Sequence, residues 1–182
     1  MNKKITLKKL IITSVCIALC IVLPIALHAI PNAGVMLSPM HIPVLLCGIV
    51  CGWQYGFLCG LTGPLLSSLI TSMPAMANLP FMMVELAIYG LVSGLIMRYL
   101  HLGKTIYTLY SSLLAAMLSG RIVAGILKAL FFAGGSYSWS AWATGYFVSC
   151  LPGIIVQLIL IPILYFALKK AGLLPPLSLD NH

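Results

Sequence analysis

Acidic side chains are almost absent from this chain. Only Glu85 and Asp180 are acidic, against ten lysines and arginines, and charged residues make up 7% of the 182 positions while hydrophobic ones make up 62%. Soluble domains usually carry about 25% charged residues, so this composition excludes an ordinary soluble protein. Disordered chains have too few apolar residues to match it. The basic residues form islands between long apolar runs, which indicates a lipid bilayer as the partner and not nucleic acid.

The motifs of ATP hydrolysis and of common hydrolases are also missing. The chain has no complete G-x-x-x-x-G-K-S/T phosphate loop, and neither G-x-S-x-G nor H-E-x-x-H occurs in it. We therefore predict no enzyme, no catalytic residues and no cofactor. All six cysteines fall within apolar segments, so we interpret them as small core residues and predict no metal site.

Five apolar segments are visible, at about 9–29, 41–72, 80–99, 105–131 and 139–168. The first follows a lysine-rich start but is long enough to span a bilayer and lacks a small-x-small cleavage site, so we predict a retained helix. The second would be roughly 48 Å long as one helix, against a hydrocarbon core of about 30 Å. It is either one tilted span or two short spans broken near residues 52–55.

The positions of the cations decide between five and six spans. Lysine and arginine collect in cytoplasmic loops, and two short spans put eight of the ten cations on one side: Lys3, Lys4, Lys8, Lys9, Arg98, Lys104, Lys169 and Lys170. A single span would put the last four of them outside. We therefore predict an all-α membrane protein with both termini cytoplasmic, forming one domain over 1–182 with helices at about 9–29, 41–51, 54–72, 80–99, 105–131 and 139–168.

Three charged residues remain inside the predicted helices: Glu85, Arg121 and Lys128. Charges at the bilayer centre are costly and are functional candidates by default. Arg121 and Lys128 are seven residues apart and share a helix face, and Glu85 is expected at a depth similar to that of Lys128. One interpretation is a structural Glu85–Lys128 ion pair. The other is a pocket with surplus positive charge that binds a carboxylate or another anionic group, which arginine can grip bidentately.

Further candidate site residues lie at the outer ends of the predicted helices. Trp139, Trp142 and Tyr146 follow a Gly-Gly-Ser-Tyr loop. Such rings form an interfacial belt in many membrane proteins, and the alternative is that some of them stack on a ligand. Asn78 and His41 lie at the outer surface or just inside it, where His41 either bonds structurally to its neighbours or contacts the ligand.

The order of the apolar motifs resembles one known family. The stretches are LSPMHIPVLLCG (37–48), GWQYG (52–56), GLTGPLL (60–66), ELAIYGLVSG (85–94) and GRIVAG (120–125). Together they resemble the substrate-binding S component of an energy-coupling factor (ECF) vitamin transporter, over nearly the whole chain. The resemblance implies a substrate-binding membrane domain in the plasma membrane of a bacterium.

The resemblance also implies partners and a ligand. A transmembrane coupling subunit and two ATPases would drive uptake, and Ser14 and Ala18 stand where the family carries the Ala-x3-Ala docking motif of helix one. The vitamin would bind near the outer surface, among helices four to six. Surplus positive charge favours an anionic vitamin, with pantothenate as the first choice; nicotinate, hydroxymethylpyrimidine, riboflavin, folate and cobalamin remain open. A scaffold protein without transport is the competing hypothesis.

Overall fold

The computed structural model describes residues 3–27, 36–100, 102–131 and 144–174. Within these ranges the chain forms six α-helices and one π-helical turn, and it contains no strand. The helices are α1 (Lys3–Leu27), α2 (His41–Cys51), α3 (Trp53–Thr71), α4 (Leu79–Tyr99), α5 (Thr105–Phe131) and α6 (Leu151–Lys170), and the π-helical turn is Thr144–Val148. The prediction of an all-α fold is confirmed.

Four of the helices in the described part of the chain are long and apolar enough to cross a membrane. They are α1, α4, α5 and α6. The apolar helix α2 has 11 residues, or about 16 Å of rise, which is shorter than the hydrocarbon core of about 30 Å. The chain is a membrane protein in which long apolar helices accompany a short buried one.

The predicted break in the second apolar segment lies at Gly52. This residue has φ +101°, a conformation that residues with a Cβ rarely adopt, and it separates α2 from α3. The two helices fold back on each other, because a Cβ built on Gly56 would lie 2.6 Å from the Cα of Gly48. The second segment therefore forms two antiparallel helices and not one.

The last helix begins later than its apolar pattern predicts. The expected start was residue 139, whereas α6 begins at Leu151 and Cys150 is its N-cap. Pro152 lies in the first turn of α6, a position that tolerates proline because its N–H would have no partner within the helix. The turn Thr144–Val148 precedes this helix as a separate element.

Glycines bring α3 and α4 into backbone contact. A Cβ at Gly56 would lie 2.5 Å from the carbonyl oxygen of Gly90, and Cβ atoms at Gly60 and Gly94 would meet the backbones of Leu86 and Trp53. Small residues at such spacings let helices approach closely in lipid. The glycine repeats thus pack within this subunit.

Contacts between helices place the basic segments at one end of the bundle. Lys8 Nζ on α1 donates to the carbonyl oxygen of Gly172, just after α6, at 2.9 Å, and Cys51 Sγ at the end of α2 contacts the carbonyl oxygen of Lys9 at 3.7 Å. We call this end the basic end; its cations are Lys8, Lys9, Arg98, Lys104, Lys169 and Lys170. The other end, where α2, α4 and α6 begin, is called the far end.

Cysteines fill part of the core between α1, α2 and α3. Each of five is at most 2% exposed: Cys16, Cys20, Cys47, Cys51 and Cys59. They belong to the same buried cluster as Val44, Leu45 and Ile49. The interpretation as small core residues is confirmed for these five, whereas Cys150 is only partly buried and lies outside this core.

Candidate functional site

Four buried polar side chains form a continuous chain of contacts in the far half of the bundle. His41, Glu85, Tyr89 and Arg121 are each at most 7% exposed. His41 Nε2 lies 3.6 Å from Glu85 Oε1, and the Tyr89 hydroxyl donates to the same oxygen at 3.3 Å. Arg121 Nε donates to the Tyr89 hydroxyl at 2.9 Å. We call these four residues the polar chain; it joins α2, α4 and α5.

A hydrogen bond orients the His41 ring. Nδ1 lies 3.1 Å from the carbonyl oxygen of Ser38, and a carbonyl only accepts, so Nδ1 is the donor in this contact. The ring therefore presents Nε2 to Glu85 Oε1 at 3.6 Å. Arg121 contributes a guanidinium, which stays charged in proteins, to the polar chain.

Helix spacing and a missing side chain explain how the polar chain forms. Glu85 and Tyr89 are four residues apart on α4, so they share one face. Gly120 lies opposite on α5, where a Cβ would collide with the Tyr89 ring. Because Gly120 has no Cβ, the ring lies against α5 and its hydroxyl reaches the neighbouring Arg121.

A second cation lies on α5 nearer the far end. Lys128 is seven residues beyond Arg121, about 10 Å along the helix. Its Nζ lies 5.8 Å from the centroid of the Phe81 ring, in cation–π contact. Glu85 and Lys128, both described, form no direct ion pair within 4.0 Å; the carboxyl group contacts His41 and Tyr89 instead. The site consequently has more positive than negative charge.

The Ser38 carbonyl links the polar chain to α6. Ser38 has φ +45°, a strained left-handed conformation for a residue with a side chain. Its oxygen accepts from the His41 backbone N–H at 3.0 Å, from His41 Nδ1 and from Gln157 Nε2 at 3.5 Å. Polar groups from α2, α4, α5 and α6 thus converge in an otherwise apolar interior.

The structure brings some of the candidate residues together and leaves others apart. His41, Glu85 and Arg121 meet in the polar chain, and Lys128 lies further along the α5 face. Asn78 is exposed and precedes α4 as its N-cap residue. Trp139, Trp142 and the side chain of Tyr146 lie outside the described residues.

Sequence reasoning missed the residues that connect the charged groups. Tyr89 joins Glu85 to Arg121. The feature of the sequence that could have identified Tyr89 is its four-residue spacing from Glu85, on a helix with few polar positions. The Ser38 carbonyl has no sequence signal, because any residue supplies a carbonyl and only the backbone conformation aims it. Gln157 is visible in the sequence as a polar residue in an apolar helix, but its contact with the Ser38 carbonyl is not.

The candidate docking residues lie on the surface of α1. Ser14 and Ala18 are both exposed, and the Ser14 hydroxyl donates to the Leu10 carbonyl within the same helix at 3.0 Å. Exposed apolar residues flank them, Val15 at 53% and Val22 at 54%. This face of α1 packs against no other described helix.

Tyr89→Phe tests whether the hydroxyl matters to the fold. The ring contacts remain, but Arg121 Nε and Glu85 Oε1 lose a buried partner, so the free energy of unfolding should fall by about 1–3 kcal/mol. Thermal unfolding in detergent measures the change. Tyr107→Phe, at an exposed position on α5, is the matched control. Equal melting of both variants would contradict a structural role for the hydroxyl.

Comparison with known proteins gives one match. The model of a protein family described as "ECF transporter, substrate-specific component" matches residues 8–165, which is most of the chain. No curated protein and no solved structure matches significantly. The matched range begins in α1 and ends in α6, so it includes every residue of the polar chain.

Proposed function

Because the chain belongs to the substrate-specific components of ECF transporters, we propose that it captures a small water-soluble vitamin outside a bacterial cell. A transmembrane coupling subunit and two ATPases would then drive delivery to the inside. The observation that carries the proposal is the polar chain, which includes the charged guanidinium of Arg121 and is buried in the far half of an apolar bundle. Contacts between helices do not require a charged residue inside the membrane, and such residues mark functional sites by default.

The proposed topology has six crossings with both termini in the cytoplasm. The gathering of the cations at the basic end supports this orientation, because lysine and arginine collect on the cytoplasmic side. The far end would then face outward. Glu85 is six residues from the start of α4 and Arg121 ten from the end of α5, about 9 and 15 Å below their outer ends. A vitamin would therefore enter from outside and bind above the middle of the membrane.

The proposed ligand is an anionic vitamin, with pantothenate as the first candidate. Arg121 supports this choice, since a guanidinium binds a carboxylate through two parallel hydrogen bonds. Lys128 adds attraction nearer the entrance, while His41 and Glu85 offer polar contacts. Asn78, Trp139, Trp142 and Tyr146 complete the proposed site at the outer end. Nicotinate, hydroxymethylpyrimidine, riboflavin and folate are the alternatives.

A ligand screen on the purified chain tests the proposal. The protein is expressed alone, purified in detergent and analysed by mass spectrometry for a bound small molecule. Thermal shifts with pantothenate, nicotinate, hydroxymethylpyrimidine, riboflavin and folate follow, because binding to the folded state raises its melting temperature. We expect a stabilising shift with one carboxylate-bearing vitamin. Protein that is always empty and is stabilised by none of them would favour a scaffold role instead.

Ala18→Leu should separate transport from binding. The larger side chain would protrude from the exposed face of α1 and prevent the close helix approach that small residues permit. We expect loss of uptake in cells that express all subunits, with vitamin affinity of the purified chain unchanged. Ala129→Leu, at an exposed alanine on α5, is the control and should transport normally. Lost vitamin binding in Ala18→Leu would contradict the separate docking face.

A further inference from the structure

Gln157 has an unsatisfied acceptor in the interior of the bundle. Gln157 is 0% exposed, and its Oε1 atom has no hydrogen-bond partner among the described residues. Its Nε2 donates to the Ser38 carbonyl, so the amide orientation is fixed: reversing it would place two acceptors against each other. A buried acceptor without a donor costs free energy, and such groups are rare in folded proteins.

The packing of α6 brings this acceptor to the polar chain. Gly153 lies one turn before Gln157, and a Cβ there would be 2.6 Å from the Met36 carbonyl oxygen and 2.8 Å from that of Leu37. The missing side chain lets α6 approach the segment that contains Ser38. Gln157 and His41 then share the Ser38 oxygen as an acceptor. Gln157 is also six residues from the start of α6, about 9 Å deep, as is Glu85 on α4.

We propose that Gln157 Oε1 is a recognition point for the ligand and accepts a hydrogen bond from one of its hydroxyl or amide N–H groups. This inference rests on the proposed function, because the donor is supplied by the bound vitamin. The ligand would place its carboxylate at Arg121 on α5 and its donor at Gln157 on α6. The Ser38 contact holds the amide in place, so little side-chain entropy is lost on binding.

The proposed contact restricts the class of substrate. An acceptor cannot bind another acceptor, so a ligand needs a hydrogen-bond donor as well as an anionic group. Pantothenate has both, since it carries hydroxyl groups and an amide N–H beside its carboxylate. Nicotinate has a carboxylate but only an acceptor nitrogen in its ring, which would leave Gln157 Oε1 unpaired. Sites that hydrogen-bond a substrate donor discriminate strongly against analogues that lack it.

The first experiment measures affinities by titration calorimetry for the wild-type chain, Gln157→Met and Gln54→Met. Methionine keeps the length of glutamine but removes the amide. Gln54, the other glutamine, is exposed on α3 and serves as the matched control. We expect Gln157→Met to bind pantothenate about tenfold more weakly, the loss expected for a buried donor left unpaired. Gln54→Met should bind as the wild type does.

A second experiment uses ligand analogues, and its wild-type measurements do not depend on the folding of a variant. The probes are pantothenate, its deoxy analogues that each lack one hydroxyl, and its N-methyl amide. One of them should bind the wild type about tenfold more weakly than pantothenate, and Gln157→Met should not distinguish that analogue from pantothenate. Such non-additivity is the signature of a direct contact.

Four results would overturn the inference while leaving the proposed function intact. The first three are unchanged pantothenate affinity in Gln157→Met, equal wild-type affinity for every analogue, and wild-type affinity for nicotinate equal to or above that for pantothenate. The fourth is that the affinity losses from the Gln157→Met substitution and from the analogue simply add, because Gln157 would then act only through Ser38. Failure of the wild type to bind any vitamin of the panel would instead contradict the proposed function.

Discussion

Arg121→Ala is expected to weaken binding of a carboxylate-bearing vitamin by about a hundredfold, because truncating one partner of a buried, charged hydrogen-bonded pair costs about 2–5 kcal/mol. The substitution removes the guanidinium of the polar chain, the group that would hold the carboxylate. It also leaves the Tyr89 hydroxyl without its donor. Affinity is measured by titration calorimetry on the purified chain.

Three further variants make the Arg121 result specific. Arg121→Lys keeps the charge but loses the bidentate geometry, so its affinity should lie between those of wild type and Arg121→Ala. Arg98→Ala removes an exposed cation at the basic end and should bind normally. Trp142→Phe should cost far less than Arg121→Ala. Normal vitamin binding by a folded Arg121→Ala would show that the charge is structural.

Gly90→Ala is expected to cause the largest loss of stability, with the free energy of unfolding lowered by about 3 kcal/mol or more. The new Cβ would collide with the Gly56 carbonyl and lie 2.8 Å from the Gly56 Cα. Both contacts are with backbone, which cannot rotate away as a side chain can, so α3 and α4 must separate. Thermal unfolding in detergent measures the effect. Binding should weaken too, because Tyr89 precedes Gly90 on the same helix.

Gly145→Ala is the matched control for the Gly90 variant. Gly145 lies in the π-helical turn, and no atom of the described residues lies within 4 Å of a Cβ built there. The control should therefore melt close to the wild type. If Gly90→Ala melted at the same temperature as Gly145→Ala, the backbones of α3 and α4 could not be in the close contact that the structure shows at Gly90.

Much of the fold follows from apolar segments and their interruptions. The break at Gly52 was predictable because the second segment is too long for one span and contains a glycine, the residue that tolerates positive φ. The start of α6 was not, because residues 139–150 are nearly as apolar as the helix that follows them. Pro152 does not by itself mark the start, since α6 also contains Pro162 in its interior.

The charged members of the site were predictable, but their connections were not. Glu85, Arg121 and Lys128 are conspicuous because ionisable residues are rare in apolar helices. Which of them meet depends on the rotation of α4 and α5 about their axes, and Gly120 sets this by admitting the Tyr89 ring. The alternative of a Glu85–Lys128 ion pair did not include His41, which contacts Glu85 in the structure but lies far from it in the sequence.

The order of the helices along the chain bears on how the protein enters the membrane. A cation at the centre of a helix costs about 2.5–3.5 kcal/mol during insertion by the translocon, and α5 carries both Arg121 and Lys128. The ribosome delivers α4 before α5. If the helices insert in chain order, Glu85 and Tyr89 enter the bilayer before Arg121, and the helix with two cations follows directly after the helix whose Tyr89 hydroxyl accepts a hydrogen bond from Arg121.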